Sequence, residues 1–249
     1  MSYGFKLVRL EIEGFRTFQN KFELDLRSPS KEPINYLVIA GPNGCGKTTI
    51  LDAIFLLFGG GGSSDIKANT RLSAEVEGLV SKALYRVERI EGLAERSNFS
   101  VEYLSAQRVS LSKQLRVLNP LLSHEWLGRL NAYWREFRDD GTHFVIDRCG
   151  EREWGLFVDK GAERLYSVEA LSSGEQSVLA LAVPLVHTWF EGLLLIDYPE
   201  QYLHPRWAGR VVRALRNLAP KAQVIVATHA DDPWDDAKSW ERRLLEERT

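Results

Sequence analysis

The sequence from Ile34 to Phe58 reads INYLVIAGPNGCGKTTILDAIFLLF and contains the pattern that decides the fold. Its first part, Ile34–Ala40, is a short and nearly continuous apolar run, which is typical of a strand buried on both faces. Apolar residues return with helical spacing over Thr48–Phe58. The glycines between these two segments interrupt both patterns. The stretch therefore predicts a buried strand, a glycine-rich loop and a helix that follow one another without a gap.

The loop between this strand and helix has the spacing of a phosphate-binding loop. Residues 41–48, GPNGCGKT, fit the pattern G-x-x-x-x-G-K-[ST]. Glycine lets the backbone curl so that successive N–H groups face an anion, and the helix N-terminus adds partial positive charge. Lys47 is expected to contact the β- and γ-phosphates of ATP, and the Thr48 hydroxyl to bind Mg²⁺. The predicted nucleotide-binding residues here are Gly41, Pro42, Asn43, Gly44, Cys45, Gly46, Lys47, Thr48 and Thr49.

A second apolar segment ends in an acidic residue. Residues 193–197 read LLLID, so a buried strand is expected to carry Asp197 to the carboxyl edge of a parallel sheet. An acid at that position binds Mg²⁺ in phosphate-loop enzymes. Many buried strands end in Asp, and it is the phosphate loop 149 residues earlier that makes Asp197 a candidate metal ligand.

Composition narrows the class of protein. The 249 residues include 44% hydrophobic and 27% charged residues, the balance of a soluble globular protein. No apolar run reaches the roughly 18 residues that a membrane helix needs, so no membrane association is expected. Two cysteines cannot form a disulfide framework, which indicates a cytoplasmic protein. The net charge of −2 gives no overall basic field, so any nucleic-acid contact would require a local patch.

The remaining elements are predicted from alternation and helical periodicity. A highly charged tail follows from Asp231 and is expected to form a surface helix. Further strands are expected over Lys6–Glu13, Lys21–Leu26, Ala83–Ile90, Asn98–Leu104, His143–Asp147, Trp154–Val158, Gly192–Ile196 and Val224–Ala227, and helices over Ser123–Arg138, Gly174–Trp189 and Arg206–Leu218.

The string Leu171–Ser177, LSSGEQS, carries the most specific signal after the phosphate loop. It fits a capping box, with Ser172 as the cap and Glu175 three residues later. It also resembles the LSGGQ-type signature of ABC ATPases, in the LSSGEQ form of their RecF-, SMC- and OLD-like members. The two interpretations are compatible. The resemblance implies that Ser172, Ser173, Gly174 and Glu175 take part in nucleotide binding.

Other strings extend the resemblance. Residues 12–18, IEGFRTF, are similar to the opening of RecF/SMC-type ATPases and imply that Arg16 binds nucleotide. Residues 224–229 resemble the strand whose terminal histidine, here His229, senses the γ-phosphate, although a plain strand-end histidine is the alternative. Residues 103–108 resemble a Q-loop that places Gln107 near the metal and the attacking water; a surface glutamine is the alternative. The run DYPE…LHP at 197–205 is similar to the OLD and Septu PtuA-like defence ATPases.

The resemblance implies an α/β fold, a P-loop NTPase of ABC-ATPase type. It has a mixed sheet, an N-terminal antiparallel β-part and a helical lobe with the signature. One domain over 1–249 is expected, with lobe I at 1–62 and 190–230, lobe II at 63–189 and a charged tail at 231–249. SMC-type proteins have a long coiled coil between the two halves. The segment 59–141 is short and has no heptads, so a compact head is expected.

The resemblance also implies partners. Two heads are expected to form a homodimer around two ATP molecules, in DNA maintenance, DNA repair or antiviral defence, with an effector such as a nuclease. A transporter's nucleotide-binding subunit and a non-hydrolysing ATP sensor or scaffold are the alternatives. DNA or RNA would need a basic patch; a solvated face is the alternative for the residues that could form one, Arg71, Lys82, Arg86, Arg89, Arg108, Lys113 and Arg116.

One position departs from the family. The residue after the acid of the second motif is usually a Glu that activates water, and here it is Tyr198. A phenol with an ordinary pKa near 10 is a poor general base at neutral pH. Glu200 lies two residues later, and Pro199 limits how it can turn. The expected activity is slow ATP hydrolysis, with Glu200, His229, Gln107 and Tyr198 as candidate catalytic residues.

Overall fold

The structure is a computed structural model, and it describes most of the chain. The described residues are 5–58, 69–78, 82–90, 100–105, 123–138, 140–149, 154–161, 164–186, 190–201, 203 and 207–246. In chain order the strands are β1 (Phe5–Glu13), β2 (Phe22–Asp25), β3 (Tyr36–Ala40), β4 (Arg71–Gly78), β5 (Leu84–Ile90), β6 (Val101–Ser105), β7 (His143–Arg148), β8 (Trp154–Asp159), β9 (Tyr166–Ser167), β10 (Leu193–Asp197), β11 (Gln223–Ala227) and β12 (Arg242–Leu244). The helices are α1 (Lys47–Phe58), α2 (Ser123–Arg135), α3 (Ser173–Val186), α4 (Ala208–Leu218) and the short α5 (Asp231–Asp235).

The chain divides into two compact units. The first comprises Met1–Leu104, Glu191–Tyr198 and Lys221–Thr249, and the second comprises Ser105–Phe190 and Pro199–Pro220. The boundaries of these units differ from those of the two predicted lobes. β4 and β5 belong to the first unit because β4 pairs with both β1 and β5. α4 belongs to the second unit because it packs against α2 and α3.

The first unit contains two sheets with α1 between them. One sheet has the strand order β2-β1-β4-β5, and its neighbouring strands are antiparallel. The other has the order β12-β3-β11-β10-β6, in which β12, β3, β11 and β10 are parallel. α1 packs on strands of both sheets, which explains why ten of its twelve residues are buried. Because β3, β11 and β10 run in one direction, their carboxyl ends lie at one edge.

The second unit packs three helices with a small sheet of order β7-β8-β9. Arg129 of α2 joins the helices by donating to the last carbonyls of two of them. Its guanidinium nitrogens lie 2.9 and 3.1 Å from the carbonyl oxygens of Val186 and Leu185, and 2.6 Å from that of Leu218. These carbonyls have no acceptor role within their own helices, so the arginine satisfies groups that would otherwise need water.

Three parts of the fold differ from the sequence-based expectation, and the shortest is β9, where no strand is predicted. The tail after Asp231 was expected to be a surface helix. Instead it forms the five-residue α5 and then β12, which pairs in parallel with β3. No element was predicted at Arg71–Gly78, which is β4. The other predicted elements are present with ends that differ by up to three residues.

Candidate nucleotide-binding site

The phosphate loop connects β3 to α1 at the carboxyl edge of the parallel strands. Three of its glycines have backbone conformations that other residues rarely adopt, with φ of 147° at Gly41, 81° at Gly44 and 107° at Gly46. A Cβ atom at Gly46 would lie 2.8 Å from the Phe18 ring and from the Thr17 hydroxyl. Glycine is therefore required at this position for both the backbone angle and the space.

Lys47 is buried inside the loop that precedes it. Its side chain is 2% exposed, and its ammonium donates to the carbonyl oxygens of Gly41 at 2.7 Å and Pro42 at 2.8 Å. The same ammonium lies 5.4 Å from the centroid of the Tyr198 ring. The loop thus holds a buried cation among neutral acceptors, and phosphate oxygens would offer it stronger, charge-assisted bonds.

Thr48 and Asp197 meet although 149 residues separate them. The Thr48 hydroxyl lies 3.2 and 3.1 Å from the two carboxylate oxygens of Asp197, which is 8% exposed. The phenol of Tyr103 on β6 donates to the Oδ2 atom of the same carboxylate at 3.2 Å. Mg²⁺ prefers oxygen ligands and keeps several waters, so one hydroxyl and one carboxylate beside a phosphate loop fit this ion.

Tyr198 follows Asp197 directly and turns the chain out of β10. Its φ is 48°, and its N–H donates to the Ala227 carbonyl at 2.9 Å. Its ring contacts the ring of His229, with centroids 5.0 Å apart. His229 itself is exposed just beyond the end of β11. The structure therefore brings Lys47, Asp197, Tyr198 and His229 to one edge of the sheet, as the motif spacing predicts.

Arg16 lies in a tight turn between β1 and β2. Its φ is 47°, and its guanidinium forms an ion pair with Asp52, a buried acid of α1. The neighbouring Thr17 hydroxyl lies 3.4 Å from that of Thr49. The turn is thus attached to the first two turns of the phosphate-loop helix, which explains how this motif reaches the loop.

The signature string forms the N-terminus of α3 in the second unit. The Ser172 N–H and hydroxyl each donate to the Glu175 carboxylate at 2.8 Å, and the Glu175 N–H lies 3.4 Å from the Ser172 hydroxyl. These are the bonds of a capping box. Arg138 forms an ion pair with the same carboxylate. Burial by itself would raise the pKa of Glu175, but the bonds from Ser172 and the charges of Arg138 and Lys160 outweigh it and lower that pKa. Ser173 is exposed and Gly174 half-buried, so both are accessible to a ligand.

The structure gives fewer contacts for the remaining predicted residues, which are Glu200, Gln107 and the basic group. Glu200 belongs to the second unit, where its carbonyl accepts a bond from the Leu203 N–H at 3.0 Å. Gln107 lies outside the described residues, as do three members of the basic group, Arg108, Lys113 and Arg116. Two of the described members, Lys82 and Arg86, pair with Glu77 and Glu88. This pairing favours a solvated face over a DNA-binding patch.

Sequence reasoning missed three residues around these motifs. They are Tyr103, which contacts Asp197, Asp52, which contacts Arg16, and Arg138, which contacts Glu175. Each lies in a segment that was predicted as regular structure, and nothing in local periodicity shows which polar side chain a distant strand or turn will meet. A polar group on the buried face of a predicted strand or helix is the only available signal.

Two family models match the chain. The first, described as "AAA domain", matches residues 9–116, and the second, described as "AAA domain, putative AbiEii toxin, Type IV TA system", matches residues 130–231. The first match contains the phosphate loop, and the second contains the signature, Asp197 and His229. The two halves of the ATPase are therefore matched separately, on either side of a short interval.

Individual proteins are also similar. The chain is 28% identical to Septu protein PtuA of Bacillus mycoides over 89% of its own length and 38% of that protein. It is 22% identical to Septu protein PtuA of Bacillus thuringiensis over 78% of its length and 65% of that protein. The chain thus spans less than two thirds of either relative.

Solved structures confirm the fold. A Smc head domain with an extended coiled coil, bound to the C-terminal domain of ScpA derived from Pyrococcus furiosus, superposes with a TM-score of 0.64. The match is 13% identical and covers 94% of this chain and 92% of that one. Within the described residues, no helix is long and apolar enough to cross a membrane. The predicted P-loop fold is confirmed, and the chain is similar to AAA-domain proteins and Septu protein PtuA in sequence and to Smc heads in fold.

Proposed function

We propose that this head binds ATP with Mg²⁺ at Gly41–Thr48 and hydrolyses it slowly. The observation that carries the proposal is the contact between Thr48 and Asp197, beside a buried Lys47 and a glycine loop with the required backbone angles. A structural turn would need no lysine 2% exposed among its carbonyls, since burying a charge is costly. Binding of an anion by the Lys47 ammonium and the loop N–H groups would explain this arrangement.

We assign each residue of the site a role in binding the phosphates, the Mg²⁺ ion or the attacking water. The loop N–H groups and Lys47 bind the phosphates, and Thr48 and Asp197 hold Mg²⁺. When bound, the ion neutralises charge on the β- and γ-phosphate oxygens. Arg16 and His229 are proposed to contact the nucleotide from the turn after β1 and from the end of β11. Gln107 and Glu200 are proposed to act near the attacking water.

We further propose that two copies of the chain enclose ATP between them. The signature at Ser172–Glu175 begins a helix, and the N-terminus of a 14-residue helix attracts anions. Ser173 and Gly174 of one copy would face the nucleotide on the loop of the other copy. The likeness to Smc heads and the presence of both motifs on one chain support this proposal.

We propose a cytoplasmic role in antiviral defence, which the similarity to Septu protein PtuA supports, or in DNA maintenance, which the likeness to Smc heads supports. The Smc head structure bound to the C-terminal domain of ScpA supports a further proposal, that this head acts with a protein partner such as a nuclease effector. A nucleic acid, DNA or RNA, is proposed as the target of that assembly rather than as a ligand of the described basic residues.

Titration calorimetry with ATP and Mg²⁺ tests the site. Lys47→Ala removes the cation of the loop, and a hydrogen bond to a charged group contributes about 1.5–3 kcal/mol. The dissociation constant of ATP is therefore expected to rise about 10- to 100-fold. Lys82→Ala removes an exposed lysine that pairs with Glu77 and is the matched control. Unchanged affinity in Lys47→Ala would show that the loop is not the ATP site.

A further inference from the structure

Tyr103 contacts the Asp197 carboxylate in addition to Thr48. β6 lies beside β10 in the parallel sheet, and this neighbour relation places the phenol of Tyr103 3.2 Å from the Oδ2 atom of Asp197. Both residues are buried, at 7% and 8% exposure. Tyr103 is the first residue of the string that resembles a Q-loop, but that resemblance gives a role to Gln107 and none to the tyrosine.

The position of the phenol is fixed by packing as well as by the hydrogen bond. The Tyr103 ring meets the ring of Phe55 on α1 edge-on, with centroids 5.5 Å apart and an interplanar angle of 76°. An aromatic pair of this geometry is favourable in itself. The hydroxyl is therefore held in place by α1, the same helix that begins with Lys47 and Thr48.

The bond is compatible with a metal at this carboxylate. An ionised carboxylate has about four acceptor positions, and Tyr103 and Thr48 do not use all of them. The Thr48 hydroxyl, when it donates its hydrogen to Asp197, still has oxygen lone pairs that can bind a cation. The Tyr103 bond restricts the rotation of the carboxylate and keeps its remaining lone pairs in one orientation.

We propose that Tyr103 is a positioning residue that orients Asp197 for Mg²⁺. This inference rests on the proposed function, in which Asp197 is a metal ligand. Groups that hydrogen-bond to metal-binding side chains typically change metal affinity or activity by 10- to 100-fold when removed. Tyr103 acts through Asp197 and touches neither the nucleotide nor the reacting atoms.

The test measures how much Mg²⁺ is needed for a fluorescent ATP analogue to bind tightly. Tyr103→Phe keeps the ring on Phe55 and removes only the hydroxyl. The half-saturating Mg²⁺ concentration is expected to rise about 10-fold or more. Binding of the analogue in EDTA and the urea midpoint are expected to match those of Tyr36→Phe. That control loses a buried phenol whose bond, to the Pro233 carbonyl, has the same 3.2 Å length.

Asp197→Asn distinguishes a failure of the proposed metal site from a failure of the role of Tyr103. If Asp197→Asn leaves the Mg²⁺ requirement unchanged, Asp197 is not a metal ligand and both the proposed metal site and the role of Tyr103 are wrong. If Asp197→Asn raises the requirement and Tyr103→Phe does not, the role of Tyr103 alone is wrong. In the double variant, Tyr103→Phe should add nothing to the effect of Asp197→Asn, because residues that act through one another are not additive. A fully additive effect would overturn the proposal.

Discussion

Tyr198 occupies the position at which the resemblance to ABC ATPases implies a catalytic glutamate, and its contacts restrict the chemistry of its side chain. A non-glycine residue with φ near 48° costs roughly 1–2 kcal/mol. The strain is offset by a backbone bond to Ala227 and by contacts of the ring with His229 and the Lys47 ammonium. The side chain thus acts as an aromatic surface beside the loop, and its neutral hydroxyl is a poor acceptor for a proton from water.

At the residue scale we expect Tyr198→Glu to accelerate ATP turnover. A correctly placed general base contributes about 10²–10⁴-fold, so a gain of about 10-fold is expected when placement is imperfect. Steady-state phosphate release measures this change in the rate of ATP turnover. If Glu200 is the base, Tyr198→Glu will do little and Glu200→Gln will remove most of the activity. Brisk wild-type turnover that survives Glu200→Gln would contradict both assignments and direct attention to His229 and Gln107.

At the element scale, the beginning of α3 depends on one carboxylate. Glu175 closes the capping box with Ser172 and pairs with Arg138, and the capping serine is exposed. Because its pKa is lowered in the folded protein, the ionised form stabilises the fold. That contribution is complete above the ordinary pKa of 4.5 and is lost as the pH falls through the lower folded value.

We therefore expect Glu175→Gln to lower the free energy of unfolding by about 1 kcal/mol at pH 7. The difference from wild type should shrink as the pH falls below about 4.5, because the wild-type carboxyl then becomes neutral. Urea unfolding at several pH values measures this difference in the free energy of unfolding. Glu169→Gln, at an exposed glutamate, is the control. A difference that stays constant or grows in acid would show that charge on Glu175 does not stabilise the helix end.

The helices and strands differ in how well the sequence predicts them and their contacts. The phosphate loop, α1, β10 and β11 follow from local periodicity, and their functional ends meet because parallel strands share a carboxyl edge. β12 was not predictable, since three residues carry no periodicity and their strand conformation comes from pairing with β3. The Tyr103–Asp197 contact depends on β6 lying beside β10, and that neighbour relation is a property of the sheet rather than of either segment.

At the scale of the whole molecule, the two motif groups lie in different compact units of one chain. The phosphate loop and Asp197 belong to the first unit, and the signature belongs to the second. A second copy of the chain supplies the missing half of each site if ATP joins the loop of one copy to the signature of the other. Binding of ATP then favours the dimer, because the ligand binds the closed assembly better than the separate heads.

Light scattering with and without a non-hydrolysable ATP analogue and Mg²⁺ measures whether nucleotide joins two copies of the chain. The wild-type molar mass is expected to double from 28.3 kDa when the analogue is added. Ser173→Arg should remain monomeric while it still binds the analogue, because the added bulk lies where the partner's phosphates would be. Lys47→Ala should remain monomeric because it binds nucleotide weakly. A molar mass that is the same with and without nucleotide, in the wild type and in Ser173→Arg, would contradict the ATP-enclosing dimer.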